Sequence, residues 1–506
     1  MTNNRSSFKF LDEEERVPVG SKWIKCHMIF NVKMNFTRKA RFVAGGHMTD
    51  PPSTITYSSV VSRDSIRIAF MLASLNGLSL CATNIGNAFL NAEAREKVYT
   101  TAGPEFGAEL EGHYVSIVRA LYGLKSSGVA WRAHLANTLQ SLGYTSCLAD
   151  PDVWMKPAMK PCGFEYYEYV LVYVDDVLVL SHQPEITMRS LAQYYRLKDR
   201  FAEPTRYLGA EVKKWVFPED NSKFYWALSS SQHVKEAVKN VEEYLSAYDQ
   251  TLRKYFQSQL SILRCMVELG RLDIYVNVAM LSPFLMQPRE GHLKAIFSIY
   301  GYLKFHTQST MVFDDSYIQW NDELFPTHDW TDFYNGATED IPKNAPQPRG
   351  LPAQMNVFVD ADHAGNRLTR CSQTGILLYL NKAPIMWYSK SQKTVETSTF
   401  GSEFVAMRVA TEIIKGLRYK LRMMGVPLDG LANVLADNET MIKNSTIPLQ
   451  TLQKKHNAIC YHYVREAVAT KIICIAYIPT TENLVDMFTK PLGARKLHGF
   501  CHKILY

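Results

Sequence analysis

Two hydrophobic rhythms alternate along the chain. Short runs such as MNVFVDAD (355–362), TGILLYLN (374–381), APIMWYSK (383–390), ANVLADN (432–438) and IICIAYIP (472–479) are dense in β-branched and aromatic residues and stop at polar or proline positions, the pattern of strands. Between the third and fourth of these runs, apolar residues recur three and four apart at Phe404, Met407, Ala410, Ile414, Leu417, Leu421 and Met424. That spacing predicts a long helix with one buried stripe, which Glu403 opens. TTENLVDMF (480–488) predicts a last short helix with Asp486 in its first turns. The C-terminal part therefore reads as three strands, a long helix, a strand, a helix, a strand and a short helix. Upstream, EYVLVYVDDVLVLSH (168–182) holds two β-rich runs, Tyr169 to Val174 and Val177 to Ser181, parted by Asp175 and Asp176, and predicts a hairpin with both acids at its tip.

The proline-rich stretch NGATEDIPKNAPQPRGLPA (335–353) is the clearest seam, and WVFPEDNSK (215–223) marks a softer one. Internal repeats and low-complexity tracts are absent, which excludes solenoids. At 506 residues, 46% hydrophobic and 21% charged, the composition is that of an ordinary globular chain of several domains. A formal charge of +7 is modest for this length. Locally the balance is sharper: Arg16, Lys22, Lys25, Lys33, Arg38, Lys39 and Arg41 lie in a stretch to Thr49 without an acid, a stripe that suits a phosphate backbone or a solvated basic face equally. Nine cysteines, none at CxxC spacing, suggest neither a disulfide framework nor a zinc site and fit a reducing compartment. With no apolar leader and no membrane-length run, the expectation is an intracellular protein, cytoplasmic in a particle or nuclear, without a membrane partner.

Asp360, Glu403, Asp437 and Asp486 fall at strand ends or helix starts. Any one of them alone reads as a turn residue or helix cap. Four in this order suit phosphodiester hydrolysis by two divalent ions, because several anionic oxygens must hold both ions around one phosphate, and hard oxygen ligands select magnesium or manganese. Adjacent aspartates in a hairpin, by contrast, are as readily turn chemistry as a metal site.

The wording around these acids, VDADHAG (359–365), SKSQKTVETSTFGSEFVA (389–406), LADNETMI (435–442) and IPTTENLVDMFTKPL (478–492), closely resembles the ribonuclease H domain of copia-type LTR retrotransposon polyproteins. The resemblance implies that Asp360, Glu403, Asp437 and Asp486 bind the metals. It also places Lys454, Lys455, His456 and His462 in a basic segment that either contacts an RNA/DNA hybrid or forms a solvated helix face. Upstream, YVDD (173–176) preceded by WIKCHMIFNV (23–32), RKARFVAGG (38–46), NIGNAFLNAE (84–93) and RALYGLKSSGVAW (119–131), and followed by YLGAEV (207–212), resembles the copia-type reverse transcriptase. By that resemblance Asp175 and Asp176 carry the polymerase metals, Lys39 and Arg41 lie near the incoming triphosphate, and Gly123 and Lys125 precede a helix that packs on template and nucleotide. Phe89 is then the aromatic gate against ribonucleotides, or else a plain core aromatic.

The implied fold is α/β of the α+β multidomain kind: an N-terminal tail (1–16), reverse transcriptase fingers and palm (17–215), thumb, connection and linker (216–350), a ribonuclease H-like mixed-sheet domain (351–495) and a C-terminal tail (496–506). One position departs from the family. The first polymerase metal ligand is an aspartate five residues before the aromatic gate, and here it is Asn84. Asparagine is neutral and ligates a hard dication weakly. The expected function is a retroelement RNA-directed DNA polymerase with ribonuclease H, its nucleotidyltransferase site crippled and its endonuclease site intact, using Mg2+ or Mn2+, two ions per site. RNA template, DNA primer, RNA/DNA hybrid and deoxynucleoside triphosphates are the expected partners. The alternative is a catalytically inactive nucleic-acid-binding relic. The chain carries no zinc knuckle, protease motif or integrase core, so a fragment or a separated reading frame is expected.

Overall fold

The computed structural model describes residues 7–11, 17–32, 38–49, 56–198, 202–246, 252–452 and 457–506. Arg16 and Lys33 of the basic stripe, and Lys454, Lys455 and His456, lie outside the described residues. The chain forms two compact units that interleave in sequence. The first draws on 1–62, 79–157 and 168–204; the second takes 63–78, 158–167 and 205–506.

The first unit is built on a five-stranded sheet in the order Ser79–Asn84, Asp176–Ser181, Glu165–Tyr173, Asp150–Met159, Thr145–Cys147. Its two inner strands from the YVDD segment are buried on both faces, which is why they read as unbroken apolar runs rather than alternating ones. Val170, Val172, Val177 and Val179 share one core with Trp131, Leu135 and Leu139 of the helix Ser127–Ser141. The same unit carries a four-stranded sheet, Phe8–Phe10, Tyr114–Arg119, Glu93–Thr101 and Lys22–Trp23, and a separate hairpin, Cys26–Val32 with Arg38–Ala44. That hairpin bears Lys39 and Arg41, and Phe8, Phe42 and Phe106 pack edge to face beside it.

In the second unit, WVFPEDNSK turns out to close an antiparallel hairpin, Ala210–Phe217 with Asp220–Ser229, in which Phe217 faces Asp220. Pro218 and Glu219 form the turn, and Asp220 begins the returning strand of a four-stranded sheet. The C-terminal part forms a five-stranded mixed sheet in the order Ala383–Ser391, Gln373–Leu380, Met355–Ala361, Ala432–Ala436, Ile473–Tyr477. The first three strands are antiparallel and the last two join in parallel, as crossover helices require. The long helix runs Thr399–Met423, capped by Ser398, whose hydroxyl oxygen accepts from the Gly401 amide. Glu403 therefore sits one turn inside the helix rather than at its opening, because Ser398 supplies the cap.

The segment 335–353 forms no helix or strand, as its prolines dictate. It is nonetheless tied down within the second unit. Glu339 accepts from Arg418 at 2.9 and 2.7 Å and from Arg422 at 2.7 Å. Tyr167 donates to the Gln347 carbonyl at 2.9 Å, and the Leu351 amide donates to Asn76 Oδ1 at 2.9 Å.

Candidate active sites

Each unit carries one acidic site. In the second unit, Phe358 lies beside Leu435 in the parallel pair, so two residues further along each strand Asp360 and Asp437 emerge side by side at the same sheet edge. Glu403 reaches them from the long helix. Asp360, Glu403 and Asp437 each offer an oxygen, all within 4.8 Å of one another, and they are the only such group of three among the described residues. Asp360 and Glu403 are buried. Burial pushes the Asp360 carboxyl up to about 6; the Thr489 hydroxyl, donating at 2.6 Å, pulls the other way, and the charges of Asp437 and Asp486 add to the rise. Glu403 is raised well above the usual carboxylate range by burial first, then by Asp360 and Asp437. Its Oε2 is buried and accepts no hydrogen bond. Three crowded carboxylates with an orphaned oxygen are costly by themselves and fit a divalent cation, which would satisfy that oxygen and offset the mutual repulsion.

Asp486 stands apart from this trio. It opens the short helix Asp486–Thr489 and its side chain is 1% exposed. Lys490 approaches its Oδ1 at 2.5 Å, and Lys496, from the helix Ala494–Cys501, pairs with Oδ2. Thr489 joins the two parts: its hydroxyl bonds Asp360 and also reaches the Asp486 carbonyl at 3.2 Å. Of the basic segment, His462 is described, on the helix Ala458–Ala469, where its ring meets Tyr461 edge to face.

In the first unit the hairpin turn is Val174–Asp175, with Tyr173 opposite Asp176. One acid thus sits in the turn and the other begins the returning strand, a shift of one residue from the reading with both at the tip. Val174 is left-handed at φ 58°, a conformation that glycine usually fills and that costs a β-branched residue about 1 kcal/mol or more. Its carbonyl accepts from Trp131 Nε1 at 2.7 Å, and the Asp175 carbonyl accepts from the Ile85 amide at 2.7 Å. Asn84 is the cross-strand partner of Asp176 and donates its amide to Oδ1 at 3.0 Å, while Lys198 donates to the Asn84 side-chain oxygen. Among the described residues no third acid, histidine or cysteine joins Asp175 and Asp176 at ligand spacing.

Phe89 and Arg41, two other residues singled out by sequence, meet at Tyr122. Phe89 packs on its ring at 4.7 Å, the Arg41 guanidinium lies 5.6 Å from its centre, and the phenol is pushed up by burial and by the charge of Asp175. Gly123 is left-handed at φ 95°, and a Cβ there would lie 2.0 Å from the Ala44 carbonyl oxygen, so only glycine allows this backbone approach. Lys125 donates to the Thr49 carbonyl at 2.6 Å, and Lys39 is half-buried on its hairpin. Sequence reasoning missed Tyr122, Lys198, Thr489, Lys490 and Lys496. Tyr122, Thr489 and Lys490 lie inside the quoted motifs, Lys496 just past one and Lys198 outside them all, and only three-dimensional contact gives them a role.

The chain thus carries an acidic hairpin on one five-stranded sheet and a cluster of three acids on another. Residues 8–220 match the family described as reverse transcriptase (RNA-dependent DNA polymerase). The chain is 26% identical over 501 residues to the retrovirus-related Pol polyprotein from transposon RE1 of Arabidopsis thaliana, covering 95% of this chain and 31% of that one. It is 24% identical over 509 residues to the corresponding polyprotein from transposon TNT 1-94 of Nicotiana tabacum, covering 95% and 35%. The similarity to these retrotransposon Pol polyproteins runs over nearly the whole chain, which spans about a third of their length. Among solved structures, a foamy viral protease–reverse transcriptase in complex with double-stranded DNA covers 87% of this chain and 63% of its own, with a TM-score of 0.47 and 13% identity.

Proposed function

We propose that the chain is a retroelement reverse transcriptase–ribonuclease H polypeptide in which the nuclease works and the polymerase is disabled. The observation that carries this reading is the contrast between the two sites. Asp360, Glu403 and Asp437 converge with an unsatisfied oxygen, whereas Asn84 faces Asp176 as a neutral hydrogen-bond donor whose own oxygen takes the Lys198 ammonium.

In the nuclease the four acids would hold Mg2+ or Mn2+, two ions in the two-metal scheme, which supply charge neutralisation and Lewis acidity at the scissile phosphate. The chain's own residues fix the geometry: Thr489 orients Asp360, and the sheet register sets Asp437 beside it. The substrate is the RNA strand of an RNA/DNA hybrid. In the polymerase, Lys39, Arg41, Phe89, Gly123 and Lys125 would still bind template, primer and deoxynucleoside triphosphate. Arg41 offers a fork suited to phosphate oxygens and Phe89 with Tyr122 an aromatic wall. Asp175 and Asp176 lack the third anion that two metals and a triphosphate require.

Purified protein is expected to cut the RNA of a labelled hybrid with magnesium or manganese, and Asp437→Asn to reduce cutting at least a hundredfold. Uncut hybrid with folded wild-type protein would leave the nucleic-acid-binding relic as the remaining reading.

A further inference from the structure

The arrangement around Asp486 is unlike that of the other three acids. Its carboxylate is almost wholly buried, yet the two ammonium groups on it belong to side chains that are 48% and 40% exposed. Lys490 also faces Asp360 and Asp437 electrostatically, whereas Lys496 reaches the site from the solvent side through Asp486. The backbone of the helix Asp486–Thr489 is fixed to the sheet: the Thr489 hydroxyl bonds Asp360, and the Ser389 hydroxyl donates to the Phe488 carbonyl at 2.6 Å. Only the Asp486 side chain is therefore free to change partners. Lys490 is four residues on in sequence and moves with that backbone. Lys496 is different, because it arrives from another helix, Ala494–Cys501, and is the contact that a competing anion can remove.

We propose that Lys496 is a positioning residue which holds Asp486 out of the three-carboxylate cluster until the phosphate backbone of a bound hybrid draws its ammonium away. This rests on the nuclease reading above. A lysine exchanges a carboxylate for a phosphate at small net cost, since both are charge-assisted hydrogen bonds, and the exchange releases one anionic ligand at the moment substrate arrives. The free protein then takes one divalent ion on Asp360, Glu403 and Asp437, and the ligand for a second ion is delivered with the substrate. Occupancy of the second ion thereby becomes linked to hybrid binding.

Calorimetric titration of the intact chain with Mn2+, alone and with an uncut hybrid whose RNA strand is 2′-O-methylated, tests this without relying on turnover. Wild type is expected to bind one ion alone and two with the hybrid. Lys496→Met is expected to bind the second ion at least tenfold more tightly than wild type in the absence of hybrid, and to gain little from adding it. Lys496→Arg, which keeps the charge, is expected to behave as wild type, and Lys496→Gln serves in place of Lys496→Met if thermal melting shows that variant unfolded. Equal second-ion affinity in wild type and the neutral variant, with hybrid still cleaved by wild type, would overturn the role of Lys496 and leave the nuclease reading standing. Absence of any ion bound to the folded wild type, with or without hybrid, would overturn both.

Discussion

On the reading proposed above, the single residue Asn84 is enough to silence a site. Aspartate and asparagine have nearly the same shape, so the strand pairing and the hairpin are kept, with Asn84 still opposite Asp176. What changes is the sign of the local chemistry. An aspartate would repel Asp176 and draw in a cation, whereas the amide donates to Asp176 and its oxygen takes the Lys198 ammonium. The position facing Asp176 thereby becomes a hydrogen-bond donor rather than a metal ligand. Losing one strong electrostatic partner at the transition state is worth ~4 kcal/mol, about a thousandfold in rate. Asn84→Asp is accordingly expected to raise primer extension on an RNA template by about a thousandfold while hybrid cleavage stays as it was. A reverted protein that extends primers no better than the original would put the defect elsewhere in the polymerase. The position itself was legible in NIGNAF by resemblance, but Lys198, 114 residues away in sequence, was not, because a lone lysine in a loop carries no pattern.

At the scale of elements, composition and contact gave different messages about 335–353. Its prolines correctly forbid regular structure, and a proline-rich segment is naturally read as a linker. One carboxylate changes that: Glu339 accepts from both Arg418 and Arg422 on the long helix. Burial pushes the Glu339 carboxyl up, but the hydrogen bonds and charges of the two arginines outweigh it and hold the group at about 2. Because the folded-state value is depressed below the ordinary 4.5, the stabilisation is present above pH 4.5 and is lost as pH falls toward 2. Glu339→Gln strands two partly buried guanidinium groups and is expected to cost on the order of 3 kcal/mol in denaturant unfolding at pH 7. The gap between wild type and variant should close as pH falls through that window. A gap of the same size at pH 3 and pH 7 would show that Glu339 acts through shape rather than charge. The C-terminal strands and the long helix were legible because burial imposes a period on the sequence. The helix start was misjudged by a turn because the capping serine, Ser398, sits among several equally plausible caps in VETSTFGS.

For the molecule as a whole, the order of motifs along the chain was readable, but the interleaving of its two units was not. Residues 63–78 and 158–167 belong with the second unit although both lie within the polymerase-like sequence. No period or composition marks such an exchange, since it depends on which surfaces bury each other rather than on any local run. The same limit applies to Asp486. Its position in sequence grouped it with three other acids, and its two lysine partners, four and ten residues further on, set it apart. The central claim is that one chain carries a working hybrid nuclease and a silenced polymerase. A single preparation given a labelled DNA primer on a labelled RNA template, with magnesium and all four deoxynucleoside triphosphates, reads both at once. The expected result is shortening of the RNA strand within the hybrid and no lengthening of the primer, with the cleavage lost in Asp437→Asn. Efficient primer extension by the unaltered chain, or an RNA strand left whole by folded protein, would contradict it.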